Sequence, residues 1–162
     1  MIQTKTIDGV LLRDMVVTGA ALLEKNREAV DALNVFPVPD GDTGINMSLT
    51  VNSADKKISP SSIEAGVGKV AGDFAMGALM GARGNSGVIL SQIFRGFSTS
   101  LSGKSECSAK ELAVAMNKGV ELSYKSVMKP VEGTILTVYK AFSNAAMAAA
   151  DKGASIIDML QD

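Results

Sequence analysis

The stretch Asn34-Val-Phe-Pro-Val-Pro-Asp-Gly-Asp-Thr-Gly-Ile-Asn-Met47 places two carboxylates, Asp40 and Asp42, one residue apart behind a pair of prolines. Carboxylates so spaced can converge on one hard divalent cation. Magnesium in particular takes one or two of them and leaves its other positions to water and phosphate. Gly41 and Gly44 permit the tight backbone this needs. The alternative is an Asp-Gly turn with Asp42 or Thr43 as the N-cap of a helix. The rigid proline loop in front tips the reading toward metal. An EF-hand does not fit, because counting from Asp40 puts Gly44, Ile45 and Val51 where that loop needs an oxygen ligand, a glycine and a glutamate.

A second stretch, Met80-Gly-Ala-Arg-Gly-Asn-Ser-Gly-Val88, brings three glycines to the front of an apolar helical segment. Backbone amides at a helix N-terminus carry partial positive charge and bind phosphate, and Asn85 and Ser86 can add side-chain donors. It is not a P-loop, which needs G-K-[ST] after the glycines, nor a dinucleotide fingerprint, since no strand precedes it. The competing reading is helix packing through small residues. Arg83 either neutralises phosphate or pairs with a surface carboxylate. A third loop, Lys129-Pro-Val-Glu-Gly-Thr134, also enters a helix; alone it reads as ordinary capping, and Glu132 has only its loop position to suggest a base.

The rest of the composition narrows the chemistry. Histidine is absent, which removes imidazole bases, serine-histidine and cysteine-histidine catalysis and imidazole metal ligands, so reactions must run on carboxylates, hydroxyls, amides or cations. Sixteen basic against seventeen acidic residues give a net charge of -1, without the footprint expected for nucleic acid or an anionic membrane. The lone Cys107 excludes an internal disulfide and a cysteine-rich zinc site, and reads as an inert thiol in a reducing compartment. Met1 to Gly9 lacks the apolar run of an export signal, which points to the cytoplasm. Mean hydropathy is +0.21, yet no apolar run reaches the roughly 18 residues of a membrane span, so the hydropathy is assigned to buried helix faces. The nine methionines, Met76, Met80 and Met147 among them, read as core filling, with a lipid cavity as the alternative.

The 162 residues fit one compact domain, or a domain of something larger. Twenty alanines, no tryptophan and four prolines predict an all-α fold. Apolar residues at helical spacing predict one or two helices over roughly 6–34, and Pro37 and Pro39 make 35–44 a loop. A short helix follows from about Ile45 to Ala54. Ser61 with Glu64 forms a capping-box pattern for a helix running toward Leu79, and the glycines at 81–87 punctuate it. A helical repeat continues through Phe97 into a connection at 98–105. Ser108 with Glu111 opens the next helix, Pro130 closes it, and Gly133 and Thr134 open another reaching about Ala150. Ser155 with Asp158 begins a last helix with only Ile156 to Asp162 to build it, and this suggests a fragment boundary. No alternating strand pattern is evident.

Together the runs Leu33 to Met47, Gly81 to Gln92 and Pro130 to Leu136 resemble the nucleotide-binding domain shared by the dihydroxyacetone kinase L subunit and the bacterial fatty acid kinase catalytic subunit. The resemblance covers nearly the whole chain. It implies a barrel of about eight antiparallel amphipathic helices, the last of them incomplete here, with ATP and a pair of magnesium ions at one end. On that carry-over Asp40 and Asp42 are magnesium ligands and the catalytic residues. Gly84, Asn85, Ser86 and Gly87 surround the phosphates, Thr43, Gly44, Asn46 and Met47 lie beside the nucleotide, and Gly133, Thr134 and Ile135 lie near the adenine. The dihydroxyacetone branch has a further aspartate where this chain has Val35, and the adjacent Asn34 is the substitute oxygen ligand. That branch also tends to have histidine where Thr43 stands, so the pattern is closer to the fatty acid kinase side. The implied reaction is phosphoryl transfer from ATP to a fatty acid presented by a separate fatty-acid-binding protein, in an N-terminal kinase domain whose longer chain could form a homodimer. The rival readings are a kinase subunit for dihydroxyacetone or another small polyol, and a non-catalytic nucleotide- or lipid-binding module.

Overall fold

A computed structural model describes residues 5–161. The backbone enters as strand β1 (Thr6–Asp8) and turns into α1 (Gly9–Lys25), where the Asp8 carboxylate accepts the Leu11 N–H at 2.8 Å and so caps the helix. Asn26 interrupts the helix before α2 (Arg27–Ala32), so the stretch predicted at 6–34 is two helices. After the proline loop come α3 (Thr43–Asp55), α4 (Pro60–Glu64), α5 (Val67–Gly81) and α6 (Gly84–Leu101). Strand β2 (Glu106–Ser108) then leads into α7 (Ala109–Ser126), α8 (Ile135–Asp151) and α9 (Ile156–Gln161). Helices and these two short strands are the regular elements among the described residues, in keeping with the all-α expectation.

Several boundaries differ from the sequence reading, each for a local reason. The reciprocal cap at the fourth helix joins Ser59 and Ser62 rather than Ser61 and Glu64, because Pro60 lacks an N–H and occupies the first helical position, which pushes the cap one residue ahead of it. The expected continuous helix toward Leu79 is split into α4 and α5. The leading amides of α5 take outside acceptors, Val67 N–H donating to the Ser105 carbonyl at 3.0 Å and Gly68 N–H to that of Lys104 at 2.9 Å. Helix α6 runs on to Leu101, so the following connection is only 102–105.

The two strands escaped the sequence reading because three residues are too few for a periodic pattern. They pair antiparallel with Ile7 opposite Cys107, and both side chains are buried. The ladder therefore pins the starts of α1 and α7 together. Burial, with the nearby Glu111 charge adding to it, pushes the Cys107 thiol up to about 11, so the inert-thiol reading holds.

Around this pin α1 packs on α3 and α5, α3 on α5 and α6, and then α6 on α7, α7 on α8 and α8 on α9 in sequence order. One apolar cluster centres on Ile7, Val70, Leu101 and Leu112. A second holds Val51, Phe74, Leu90 and Ile93, with Phe74 and Phe94 edge to face at 4.7 Å. Between them lies an apolar cavity of about 240 Å³ lined by Leu12, Val16, Phe74, Phe97, Met116 and Phe142. Met147 packs against the first cluster, whereas Met76 and Met80 are exposed and serve neither core nor cavity. No helix among the described residues is long and apolar enough to cross a membrane.

Candidate functional site

The proline loop is held to the start of α3 by two side chains. Asp31, from the end of α2, accepts the Gly44 N–H at 2.6 Å and the Ile45 N–H at 3.1 Å through Oδ1. Asn34 accepts the Asp42 and Thr43 N–H groups at 3.2 and 3.3 Å through its own Oδ1 and donates Nδ2 to the Val38 carbonyl at 2.9 Å. The leading amides of α3 are thereby satisfied from outside the helix. Gly44 is required by the close packing: a Cβ there would lie 2.2 Å from the Arg27 carbonyl oxygen.

In this arrangement Asn34 braces the loop and the Asp42 carboxylate is left without a partner among the described residues. Asn34, expected as a third oxygen ligand, gives that oxygen to two backbone N–H groups as a brace of the loop. Asp42 occupies the N-cap position, yet its carboxylate makes no capping bond. Neither Asp40 nor Asp42 has a side-chain hydrogen bond or ion pair among the described residues. Asp40 is exposed and Asp42 half-buried. Gly41, at φ +64, makes the left-handed turn between them. Two adjacent carboxylates without protein partners suit magnesium, and no third carboxylate, histidine or cysteine joins them among the described residues.

The glycine-rich segment is pressed against α3. Thr50, fully buried on α3, donates its hydroxyl to the Asn46 carbonyl at 2.7 Å and accepts the Arg83 N–H at 3.1 Å, which ties the start of α6 to α3. Gly84, at φ +58, abuts the Asn46 side chain: a Cβ there would lie 2.3 Å from Asn46 Nδ2. At Gly87 a Cβ would lie 2.4 Å from Thr50 Oγ1. The glycines thus serve helix packing, and the packing carries the first turn of α6 to the first turn of α3. That turn has no side-chain cap, and the amides of Gly84, Asn85 and Ser86 have no acceptor among the described residues. Unpaired amides at a helix start favour an anion. Arg83 is exposed, donates to the Ala82 carbonyl at 3.1 Å and pairs with no carboxylate among the described residues.

The third loop also reaches this end. A Cβ on Gly133 would meet Phe36 of the proline loop at 4.0 Å. Thr134 caps α8 by accepting the Leu136 N–H at 3.3 Å. Ile135 and Met47 both pack, half-buried, on the second apolar cluster. All three motifs therefore converge. Sequence reasoning missed Asp31 and Thr50, which carry no motif; their signal is spacing alone, Asp31 thirteen residues before the amide it caps and Thr50 one turn after Asn46.

A family model described as DAK2 domain matches residues 37–162, a span that contains all three motifs from Asp40 onward. The chain belongs to the DAK2 domain family. It is thus a kinase-like nucleotide-binding module of the dihydroxyacetone kinase L-subunit type. Among curated relatives, this DAK2 domain is 51% identical over 156 residues to Protein YloV of Bacillus subtilis, a match that covers 96% of the chain and 28% of that protein. An uncharacterized protein of Staphylococcus epidermidis is 49% identical over 154 residues, covering 95% of the chain and 28% of the relative. An uncharacterized protein of Staphylococcus aureus is 48% identical over 155 residues, at 96% and 28%. The DAK2 domain thus spans 28% of the length of each of these relatives.

Proposed function

We propose that this DAK2 domain transfers the γ-phosphoryl group of ATP, with magnesium, to the carboxylate of a fatty acid presented by a separate fatty-acid-binding protein, giving an acyl phosphate. The observation that carries the reading is that Gly84 at the start of α6 packs on Asn46, one turn into the helix that Asp42 begins, which brings the helix start bearing two unpartnered carboxylates, Asp40 and Asp42, to the helix start bearing the uncapped amides of Gly84, Asn85 and Ser86. Carboxylates hold cations and amides hold phosphate oxygens, which together make a polyphosphate site.

In this reading Asp40 and Asp42 hold magnesium, which neutralises charge on the phosphate oxygens when bound. The α6 amides keep the phosphates in line, and Asp31, Asn34 and Thr50 fix the two helix starts so that neither has to reorganise. Asn46 and Met47 flank the nucleotide from α3, and Gly133, Thr134 and Ile135 flank it from the third loop. The acceptor oxygen bonds to phosphorus as the bond to the bridging oxygen of ADP breaks.

The absence of histidine supports a carboxylate acceptor. A fatty acid with a carboxyl pKa of about 4 to 5 is already ionised at neutral pH and needs no general base. A polyol hydroxyl needs one, and Glu132, the carboxylate of the third loop, is committed to two hydroxyl donors. A cytoplasmic location, where ATP is at hand, and a homodimer formed through a longer chain accompany this proposal.

The test is an incubation of the full-length protein with ATP, magnesium and fatty acid loaded on its binding protein, with hydroxylamine to trap acyl phosphate as hydroxamate. Hydroxamate that depends on magnesium and on the carrier is the expected result. Transfer to dihydroxyacetone instead, or nucleotide binding with no transfer to any acceptor, overturns it.

A further inference from the structure

Helices α3 and α5 cross with glycine at the contact, and their outer flanks are left bare. A Cβ on Gly77 would lie 2.8 Å from Ala54 Cα, and one on Gly81 would lie 2.1 Å from Ser53 Cβ. On the inner flank of this crossing Val51, Ala54, Phe74 and Ala78 are buried in the second apolar cluster. On the outer flank Ile45 and Leu49, one turn apart on α3, and Met76, Leu79 and Met80 on α5 are exposed, Met80 to 71%. Met76 and Met80 sit one residue before Gly77 and Gly81, and Leu49 one turn before Ser53, so the two helices present one apolar strip. A monomer seldom leaves such a strip uncovered without a use. Exposed methionines suit a contact surface, because the unbranched side chain adapts to its neighbour.

The strip starts at the candidate phosphate site. Ile45 follows Gly44, whose amide Asp31 accepts, and Met80 lies three residues before Arg83, whose N–H Thr50 holds to α3. Its border is basic. Lys56, Lys57 and Arg83 are exposed and pair with no carboxylate among the described residues, whereas Asp73 is paired with Lys69. An apolar centre with a charged rim is the anatomy of a protein–protein contact, and a basic rim selects a partner that carries carboxylates around an apolar ridge. A bilayer fits less well, because three cations on a chain of net charge -1 give weak attraction to anionic lipid. Asp40 and Arg83 are exposed, so water reaches the site until a partner covers it.

We propose that the outer face of α3 and α5 is the docking surface for the protein that presents the acyl acceptor, a partner with an apolar ridge flanked by carboxylates. Seated there, the partner reaches the start of α6, brings the acceptor carboxylate to the phosphate end of the site and excludes water from it. This rests on the kinase reading above. The face takes no part in holding nucleotide, so its loss impairs use of the carried acceptor and spares ATP binding.

The experiment is the hydroxamate assay on the full-length protein with palmitate loaded on the fatty-acid-binding protein, and with palmitate in phosphatidylglycerol vesicles without that carrier. Leu49→Glu and Met76→Glu, on different helices, are each expected to raise KM for the loaded carrier about ten-fold or more at unchanged kcat. Lys56→Glu raises it about three-fold at low ionic strength, an effect that shrinks with added salt. Magnesium ATP affinity, measured by calorimetry, stays at the wild-type value in all three, which also shows that each variant folds. An unchanged KM in either folded glutamate variant of the apolar strip, or ATP affinity lost along with it, overturns the proposal. Transfer from vesicles that needs no carrier and is lost in Met76→Glu assigns the face to a membrane and overturns it as well. Wild type that forms no hydroxamate from either source overturns the kinase reading and this proposal with it, an outcome distinct from an unchanged KM in the variants.

Discussion

Substitution of Gly87 by alanine places a methyl group 2.4 Å from Thr50 Oγ1, while the next nearest atoms, the Asn46 carbonyl oxygen and the Ala82 carbonyl carbon, lie at ordinary contact distances of 3.5 and 3.6 Å. The whole clash is therefore with one oxygen, and that oxygen holds the start of α6 to α3. Overpacking of this kind costs about 1–3 kcal/mol. The single variant Thr50→Ala, which removes the hydroxyl together with the buried γ-methyl, leaves the Arg83 N–H without its acceptor and costs about 1–3 kcal/mol for that lost acceptor, with the lost methyl adding to it. In the double variant the methyl group introduced by Gly87→Ala takes the space the hydroxyl occupied, so the cost falls short of the sum of the two by about 1 kcal/mol or more. The assay is urea denaturation of all four proteins, with m-values compared to confirm two-state unfolding. Costs that add to within about 0.5 kcal/mol refute the claim that glycine is required at 87 by the approach of α6 to α3. A second readout follows the site: nucleotide binding weakens in Gly87→Ala and recovers in part in the double variant.

Two further outcomes follow from the same geometry. Asp31→Ala removes the acceptor of two α3 amides and is expected to cost about 1–2 kcal/mol, whereas Asp31→Asn keeps an acceptor and costs less; equal loss in both variants, measured by urea denaturation, contradicts the capping role. The Lys104 ammonium, the backbone N–H of Ser108 and its hydroxyl hold the Glu111 carboxyl at about 2, against an ordinary 4.5. A depressed pKa contributes stability that is present above the unfolded value and is lost as pH falls from about 4.5 toward 2, partly screened by solvent because the side chain is 41% exposed. Glu111→Gln flattens the stability profile in that window and leaves it unchanged in shape above pH 6 or so; an identical acid slope in both proteins refutes the assignment.

The helices were legible where periodicity ran for three or more turns, as in α7 and α8, and where a cap is written in short range, as at Ser108 and Glu111. The break between α4 and α5 was not, because the groups that satisfy the leading amides of α5 come from Lys104 and Ser105, far along the chain. The strand pair was hidden for the same reason, since pairing over about a hundred residues leaves no mark on three-residue segments. At the candidate site, the loop and glycine motifs were recognisable from residue type and order. The glycines were less informative than they looked: packing against Asn46 and Thr50 requires Gly84 and Gly87 whatever the first turn of α6 binds. Asp31 and Asn34 could not be assigned from sequence, because an isolated Asp or Asn before a loop can cap, brace or ligate, and only the fold decides which amides come within reach.

The central claim, a magnesium-dependent nucleotide site built from Asp40, Asp42 and the start of α6, is tested most directly by titration calorimetry of the protein with ATP, with and without magnesium, for wild type and Asp42→Ala. Because the Asp42 carboxylate bonds to no other side chain or backbone group among the described residues, the variant keeps its fold. The predicted result is ATP binding that requires magnesium in the wild type and is lost in the variant, at unchanged melting temperature. ATP affinity that is the same in both proteins, or indifferent to magnesium, contradicts the account.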